Sequence, residues 1–193
     1  GYTCTMIQEI AAICSVINGG YYYQPHVVSK ILNEDGDVIK DVQPVVTKQT
    51  VSSDVSALIR QYMGTVMESD GTGAAAKVDG YSMGGKTGTA QKYPREDKKY
   101  LVSFIGFAPL DDPQVVVYVV VDEPNTEYQA DSLYAQYIYK GVMTEILPYL
   151  NIFQDEEVTD KANAKMTYLE NLINQQAESN RQSDSTDDTT TAA

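Results

Sequence analysis

The sequence is poor in the residues that usually mark redox and metal chemistry. It has no tryptophan, two cysteines and one histidine among its 193 residues. Cys4 and Cys14 flank one predicted helix and lie about 15 Å apart along it, too far for a disulfide, so we expect two small core residues. His26 has no cluster of further ligand residues around it, so the sequence predicts a structural histidine and no metal site.

Basic residues and long apolar runs are also scarce. Only 14 lysines and arginines oppose 27 acidic residues, and the formal net charge is −13. Such a chain repels phosphates, which argues against a nucleic-acid partner. The apolar run Val115–Val121 is far shorter than the roughly 20 residues of a membrane span. The chain begins at Gly1 without a methionine or a signal-peptide pattern, so we expect a fragment whose targeting signal precedes it.

Hydrophobic periodicity and turn signals predict a mixture of helices and strands. Thr5-x-x-Gln8 fits a capping box at a helix start, and Asn33–Gly36 fits a hairpin turn. Short links between the last three strands predict an antiparallel meander. The predicted elements are a helix from Thr5 to Ile17, hairpin strands Val27–Leu32 and Asp37–Val42, a helix from Ser52 or Ser53 to about Ser69, strands Tyr100–Ala108 and Val115–Val121, and a helix Ser132–Leu147.

Two helices carry apolar residues at a helical spacing that predicts their buried faces. The second helix is expected to bury Val55, Leu58, Ile59, Tyr62, Met63 and Val66. The last helix is expected to bury Tyr134, Ile138, Val142 and Ile146. The strand Val115–Val121 is almost continuously β-branched, which is typical of a strand covered on both faces.

The character of the chain changes near residue 155. We expect residues 1–154 to form one domain and residues 155–178 to form a surface helix. A thin stripe of apolar residues supports that helix, namely Ala162, Met166, Leu169 and Ile173. Residues 179–193 are rich in Ser, Thr and Asp, which predicts a disordered acidic tail.

The stretch Gly84–Gln91 reads Gly-Gly-Lys-Thr-Gly-Thr-Ala-Gln and contains the candidate ligand-binding residues. Its glycines allow a ligand to approach the backbone closely, since glycine has no Cβ. Lys86 supplies a positive charge, and two threonine hydroxyls supply hydrogen-bond donors. In a strand, Thr87 and Thr89 point to one face and Lys86 to the other.

A phosphate-binding interpretation of this stretch is formally possible. Gly80–Thr87 matches G-x-x-x-x-G-K-[ST], which binds nucleotide phosphates when a buried strand precedes it and a helix starts at the lysine. Residues 72–79 do not form an apolar strand pattern. Gly88 and Pro94 follow the lysine and disfavour a helix. A strand facing a reactive centre is the preferred interpretation, because K-T-G is one signature of penicillin-interacting serine enzymes.

Several further motifs, in the same order along the chain, make this interpretation specific. They are Ser103–Pro109, Val119–Pro124, Thr5-x-x-Gln8, Asn18-Gly19-Gly20 and Pro25. Together with Gly84–Gln91, they resemble the class B penicillin-binding proteins from about Gly1 to Leu150. Within that family, the sequence is similar to the branch that holds stage V sporulation protein D and the cell-division transpeptidases. The resemblance implies an α+β fold of the serine β-lactamase type, with an antiparallel sheet flanked by helices on both faces and incomplete at its N-terminal side.

The resemblance implies a peptidoglycan D,D-transpeptidase that needs no cofactor. Lys86 would supply positive charge beside a nucleophilic serine and the substrate carboxylate. The Thr87 and Thr89 hydroxyls would hold that carboxylate, and the Thr89 N–H would be one of two oxyanion donors. Gly88 would let the acyl chain lie along the strand. The expected catalytic residues are therefore Lys86 and Thr89, and substrate binding also involves Thr87 and Gly88.

The family signature also requires S-x-x-K and S-x-N, and neither occurs in these 193 residues. We therefore expect the C-terminal portion of a transpeptidase domain, inactive alone. Its expected partners are peptidoglycan stem peptides, β-lactam antibiotics, the missing N-terminal part of the domain, and other cell-wall synthesis or division proteins. The resemblance implies the extracytoplasmic face of a bacterial membrane, with an N-terminal anchor. A non-catalytic β-lactam or peptidoglycan sensor is the alternative.

Overall fold

The structure is a computed structural model that describes residues 3–158. Residues Gly1–Asp155 form one unit, and Glu156–Ala193 form a second. The surface helix expected over 155–178 lies outside the described residues except at its first positions, and the tail over 179–193 lies wholly outside them. No helix within the described range is long and apolar enough to cross a bilayer.

The first unit contains three helices and seven strands, with short 3-10 turns at Ala74–Ala76 and Arg95–Asp97. In chain order they are α1 (Met6–Ile17), β1 (Tyr21–Tyr23), β2 (Lys30–Leu32), β3 (Val38–Asp41), β4 (Val46–Gln49), α2 (Ser53–Thr65), β5 (Gly84–Gln91), β6 (Tyr100–Ala108), β7 (Val115–Asp122) and α3 (Leu133–Tyr149).

Local sequence signals account for the helix starts. The Gln8 N–H donates to Thr5 Oγ1 at 3.3 Å, and Gln8 Oε1 accepts from the Thr5 N–H at 2.9 Å, so the predicted capping box is confirmed. Ser52 caps α2 by accepting from the Val55 N–H at 3.3 Å. This helix ends at Thr65 rather than near Ser69, because the chain then folds back through tight backbone turns.

Strands β5, β6 and β7 form the predicted antiparallel meander. Gly84 pairs with Phe107 and Gln91 with Tyr100, without a register shift between them. Strand β6 is central, in the order β5-β6-β7. The predicted hairpin is also confirmed, with shorter strands, as the pair β2–β3, and β1 pairs with β4 in a further small sheet.

Helices cover both faces of the β5-β6-β7 sheet. On one face, Phe104 packs with Tyr139 and Met143 of α3. On the other face, Phe107 packs with Ile17 at the end of α1 and Met63 of α2. Phe104 and Phe107 are three residues apart on one strand and therefore point to opposite faces. The predicted α+β fold, with helices on both faces of an antiparallel sheet, is confirmed.

The predicted buried faces of the helices were partly wrong. On α2, Met63 is buried but Tyr62 is 65% exposed, and Val55 and Leu58 are exposed as well. On α3, Ile138 is 51% exposed, and the buried stripe is Ala135, Tyr139, Met143 and Leu147. Neighbouring helical positions differ by about 100°, so an error of one position selects a different face.

Three smaller expectations can also be compared with the structure. Both cysteines are free, but Cys4 is exposed rather than in the core, because it precedes the first helical residue. His26 is exposed, and its Nδ1 lies 3.3 Å from the Gln24 carbonyl oxygen. Strand β7 contacts the α3 side through Val115, Val117, Val119 and Val121 and the α1–α2 side through Val116. Its valines are half-buried rather than fully covered.

Candidate functional site

Strand β5 lies at one end of the three-stranded sheet and pairs only with β6 among the described residues. Its first two residues, Gly84 and Gly85, are buried. From Lys86 to Gln91 the strand is exposed or half-buried. Its outer edge therefore offers backbone N–H and C=O groups that can pair with an added extended chain.

The glycines of β5 let the strand pack directly against side chains of β6. A Cβ on Gly84 would lie 2.4 Å from the Phe107 ring, and a Cβ on Gly88 would lie 2.4 Å from Ser103 Oγ. Both distances are too short for two non-bonded atoms. At Gly84 the β5 backbone therefore sits closer to a buried ring than a side chain would allow, whereas a side chain at Gly88 would require the Ser103 hydroxyl to rotate away.

The lysine and threonine side chains occupy the exposed half of β5. Lys86 Nζ donates to the Thr87 carbonyl oxygen at 3.0 Å and lies 3.4 Å from Thr87 Oγ1. Thr87 pairs with Phe104 and Thr89 with Val102, so both threonines share one face, as predicted. No carboxylate lies within ion-pair distance of Lys86 in the part of the chain described. Its charge is therefore available to an anionic ligand.

The phosphate-binding interpretation is wrong. Lys86 lies inside a strand and not at the start of a helix. The segment before Gly80 contains the 3-10 turn Ala74–Ala76 rather than a buried strand. Without a helix N-terminus at the lysine, the backbone amides do not converge on a phosphate.

A cluster of salt bridges links the residue after β5 to the end of β7. Lys92 Nζ lies 2.9 Å from Asp122 and 2.7 Å from Glu123, and Lys99 Nζ lies 3.1 Å from Glu123. Hydrogen bonds from Lys92 and Lys99 lower the pKa of the Glu123 carboxyl. The bonds to Glu123 and Asp122 raise the pKa of Lys92. Sequence reasoning missed this cluster, although the meander itself brings the start of β6 beside the end of β7.

The loop between β5 and β6 holds a further exposed cation. The Arg95 guanidinium lies over the Tyr93 ring, 5.3 Å from its centroid. The Gln91 side-chain amide donates to the Arg95 carbonyl oxygen at 2.9 Å, which ties this turn to the end of β5. Across residues 3–158, no group of three His, Cys, Asp or Glu side chains is arranged to hold a metal ion.

Comparison with known families identifies the domain that carries this strand. Residues 1–144 match the model of the penicillin binding protein transpeptidase domain. The chain belongs to this family. The strand with the K-T-G motif lies within the matched residues, as the resemblance implied.

Similar proteins include, by name, a sporulation protein and a probable peptidoglycan D,D-transpeptidase. The chain is 41% identical over 158 residues to stage V sporulation protein D of Bacillus subtilis, covering 79% of this chain and 24% of that protein. It is 32% identical over 144 residues to a probable peptidoglycan D,D-transpeptidase, PenA, of Neisseria flavescens, covering 70% of this chain and 36% of that protein. The chain thus spans about a quarter to a third of the length of these relatives.

Solved structures of penicillin-binding proteins are also similar to this chain. Penicillin-binding protein 3 of Mycobacterium tuberculosis, in complex with aztreonam, is similar with a TM-score of 0.70 and 25% identity. That comparison covers 82% of this chain and 38% of the solved chain. The transpeptidase domain of Burkholderia pseudomallei penicillin-binding protein 3 gives a TM-score of 0.64 and 26% identity.

Proposed function

We propose that this chain supplies the substrate-binding edge of a peptidoglycan D,D-transpeptidase. One observation carries the proposal: Lys86 and Thr89 lie on an exposed edge strand whose outer edge pairs with no further strand within the described residues. The family membership and the name of the PenA relative support the same reaction class. The natural substrate would be a peptide that ends in a free carboxylate.

The terminal carboxylate of a stem peptide would bind at the lysine end of the strand. Lys86 Nζ already lies beside the Thr87 hydroxyl, so a carboxylate there can accept from both groups. The Thr89 hydroxyl is exposed on the same face as that of Thr87 and provides a further donor. Lys86 would also hold positive charge beside the nucleophile and so stabilise its deprotonated form.

The rest of the stem peptide would run from this end toward Gln91. Gly84 and Gly85 are buried and leave no room for a peptide in the opposite direction. Gly88 has no side chain that would hold an added chain away from the strand. The Thr89 N–H would donate to the carbonyl oxygen as negative charge develops on it during attack.

The nucleophile would come from a part of the domain outside these 193 residues, since S-x-x-K does not occur within them. The serine Oγ would attack the carbonyl carbon of the penultimate D-alanine. The peptide bond to the last D-alanine would break, and the serine proton would pass by way of a base to the leaving amine. An amine of a second stem peptide would then displace the serine and form the cross-link.

A β-lactam would be trapped at the acyl-enzyme step, and the aztreonam complex of the M. tuberculosis relative supports this. We further propose that the complete protein acts at the extracytoplasmic face of the membrane, anchored by a segment outside these residues. There it would work with other proteins of wall synthesis or division.

Covalent labelling with a fluorescent penicillin tests the proposal. The 193-residue chain should give no stoichiometric adduct, whereas a complete protein with the upstream S-x-x-K serine should be labelled. Lys86→Ala in the complete protein should slow labelling by at least about 10²-fold, since one charged donor is lost. Lys40→Ala, on the exposed strand β3, is the matched control and should label like the parent.

Two results would contradict the proposal. A stoichiometric adduct on the 193-residue chain would place a nucleophile within it. Equal labelling of the parent and Lys86→Ala would remove the lysine from the reaction. A sensor would instead accept the penicillin but fail to join two stem peptides, so a cross-linking assay on the complete protein separates it from an enzyme.

A further inference from the structure

The chain after α3 returns to the start of β5. The helix ends at Tyr149, and Asn151 takes a left-handed conformation with φ +57°. The Ile152 N–H donates to the Leu147 carbonyl oxygen at 3.0 Å, and the Ile152 side chain packs against the buried core. This turn directs Asp155 toward the residues that precede β5.

Asp155 contacts the β5 lead-in, which we define as Gly80–Met83, through its backbone and through both carboxylate oxygens. Its N–H donates to the Gly80 carbonyl oxygen at 3.0 Å. The Ser82 N–H donates to one carboxylate oxygen at 2.7 Å, and the Ser82 hydroxyl donates to the other. Bonds to a carboxylate are charge-assisted and stronger than bonds between neutral groups.

Ser82 also connects to the turn between β6 and β7. Its hydroxyl oxygen accepts from the Leu110 N–H at 3.0 Å while the hydroxyl donates to Asp155. Leu110 in turn packs closely on Gly64 of α2, where an added Cβ would lie 2.9 Å from a Leu110 methyl carbon. Ser82 therefore links its own segment before β5 to Leu110 and to Asp155, which are far from it in sequence.

Strand β5 needs such a connection because few of its own side chains anchor it. Gly84, Gly85 and Gly88 have no side chains, and Lys86 and Thr89 are exposed. Among the described residues, ladder bonds hold the strand on the β6 side only. The salt bridges of Lys92 fix its far end, so the lead-in at Ser82 needs its own support.

From this geometry we infer that Asp155 is a positioning residue for the K-T-G strand, acting through Ser82. The inference rests on the proposed function. Ser82 lies four residues before Lys86, about 13 Å along an extended strand. A tilt or slip at the lead-in moves Lys86 and the Thr89 N–H relative to the reacting carbonyl. A displacement of about 1 Å can lower a rate by about 10²-fold.

Hydrogen exchange tests this role on the 193-residue chain without any catalytic readout. In Asp155→Ala and Ser82→Ala, the amides of Gly84–Thr89 that are hydrogen-bonded to β6 should exchange at least about tenfold faster, the loss expected from one charge-assisted bond. Amides of α3 between Tyr139 and Met143 should stay unchanged. Ser82→Thr keeps the hydroxyl and should restore slow exchange. If Asp155→Ala does not fold, Asp155→Asn keeps the side-chain shape and one acceptor oxygen but removes the charge and the second acceptor, and it should give a smaller increase.

Two control variants remove the same kinds of bond elsewhere. Ser56→Ala removes a hydroxyl that accepts the Gly19 N–H at 3.0 Å. Asp131→Ala removes a carboxylate that accepts the Leu133 N–H at 2.9 Å at the start of α3. A lower melting temperature is compatible with either control, but neither should speed exchange in β5. Equal exchange in β5 for Asp155→Ala and Asp131→Ala would overturn the inference.

The complete transpeptidase provides the functional readout. Asp155→Ala should lower the second-order rate of penicillin labelling by at least about tenfold, whereas Asp131→Ala should not. If no variant, the parent included, is labelled, the proposed function fails while the exchange result still decides whether Asp155 positions the strand. Faster exchange in β5 with unchanged labelling would show that the Asp155–Ser82 contact is structural only and would overturn its role in positioning for catalysis.

Discussion

The Phe104 ring occupies the space that a side chain on Gly85 would need. A Cβ on Gly85 would lie 2.4 Å from Phe104 Cζ and 3.1 Å from Met67 Sδ. Phe104 is fully buried, with its ring in edge-to-face contact with Tyr139 at 4.8 Å between centroids. The backbone just before Lys86 therefore packs directly on the core. This contact fixes how closely the edge strand β5 approaches the core.

Replacing Gly85 with alanine should destabilise the protein. The buried ring cannot move aside without disturbing Tyr139, so we expect a loss of about 1–3 kcal/mol in the free energy of unfolding. Gly141→Ala is the matched control, because Gly141 lies in α3 with no atom near its Cβ position. That change should stabilise by up to about 1 kcal/mol. Urea unfolding monitored by circular dichroism measures both, and equal stability for Gly85→Ala and the parent would contradict the packing argument.

The hydroxyl of Tyr139 should be dispensable for stability. It is buried with no hydrogen-bond partner among the described residues, and burial raises the pKa of Tyr139 well above its usual value. Tyr139→Phe keeps the ring contact and removes an unsatisfied polar group, so the free energy of unfolding should stay within about 1 kcal/mol or rise. Tyr139→Ala should lose about 3–5 kcal/mol.

Tyr134 is the control for this result, since its hydroxyl lies 3.2 Å from both the Thr126 hydroxyl and the Tyr128 carbonyl oxygen. Tyr134→Phe should therefore cost about 0.5–1.5 kcal/mol. A larger cost for Tyr139→Phe than for Tyr134→Phe would mean that the buried hydroxyl has a partner, such as an internal water.

The ion cluster at the end of β5 should make stability depend on pH in acid and in strong base. The pKa of Glu123 lies below its ordinary 4.5, so its contribution is present above pH 4.5 and is lost as the pH falls through the lowered value. The pKa of Lys92 lies above its ordinary 10.5, so its contribution is present below pH 10.5 and is lost as the pH rises further.

Glu123→Gln should accordingly flatten the acid limb of a plot of melting temperature against pH. The effect should shrink in 1 M salt, because partly exposed charges are screened. Glu127→Gln changes an exposed loop carboxylate that has no salt bridge among the described residues, and should leave the acid limb as it is. An identical acid limb for Glu123→Gln and the parent would show that the cluster does not contribute to stability.

Apolar side chains exposed on α1 and α2 should cause the isolated chain to self-associate. Ile7 on α1 and Leu58 and Tyr62 on α2 are all exposed. Leu58→Glu should reduce association in sedimentation velocity, since a charge opposes apolar contact. Ile138→Glu places the same charge at a similarly exposed position on α3 and should have less effect. Equal effects of the two changes would show that association does not involve the α1–α2 surface.

Local sequence patterns predicted the elements that depend on nearby residues. Thr5 and Gln8 satisfy each other's backbone groups within one helical turn, and Asn33–Gly36 closes a hairpin between adjacent strands. For Gly84–Gln91, Gly88 and Pro94 disfavoured a helix after Lys86, and the K-T-G signature of penicillin-interacting serine enzymes favoured a strand. The roles of Lys86 and Thr89 in catalysis remain proposals.

What sequence alone determined here was the type and order of the elements and the position of the K-T-G strand. Tertiary structure decided which faces of α2 and α3 are buried, since one helical position changes the face and only packing selects it. It also decided the contact between Ser82 and Asp155, which are 73 positions apart. No local periodicity encodes such a pair, because it exists only once α3 and the sheet have packed together.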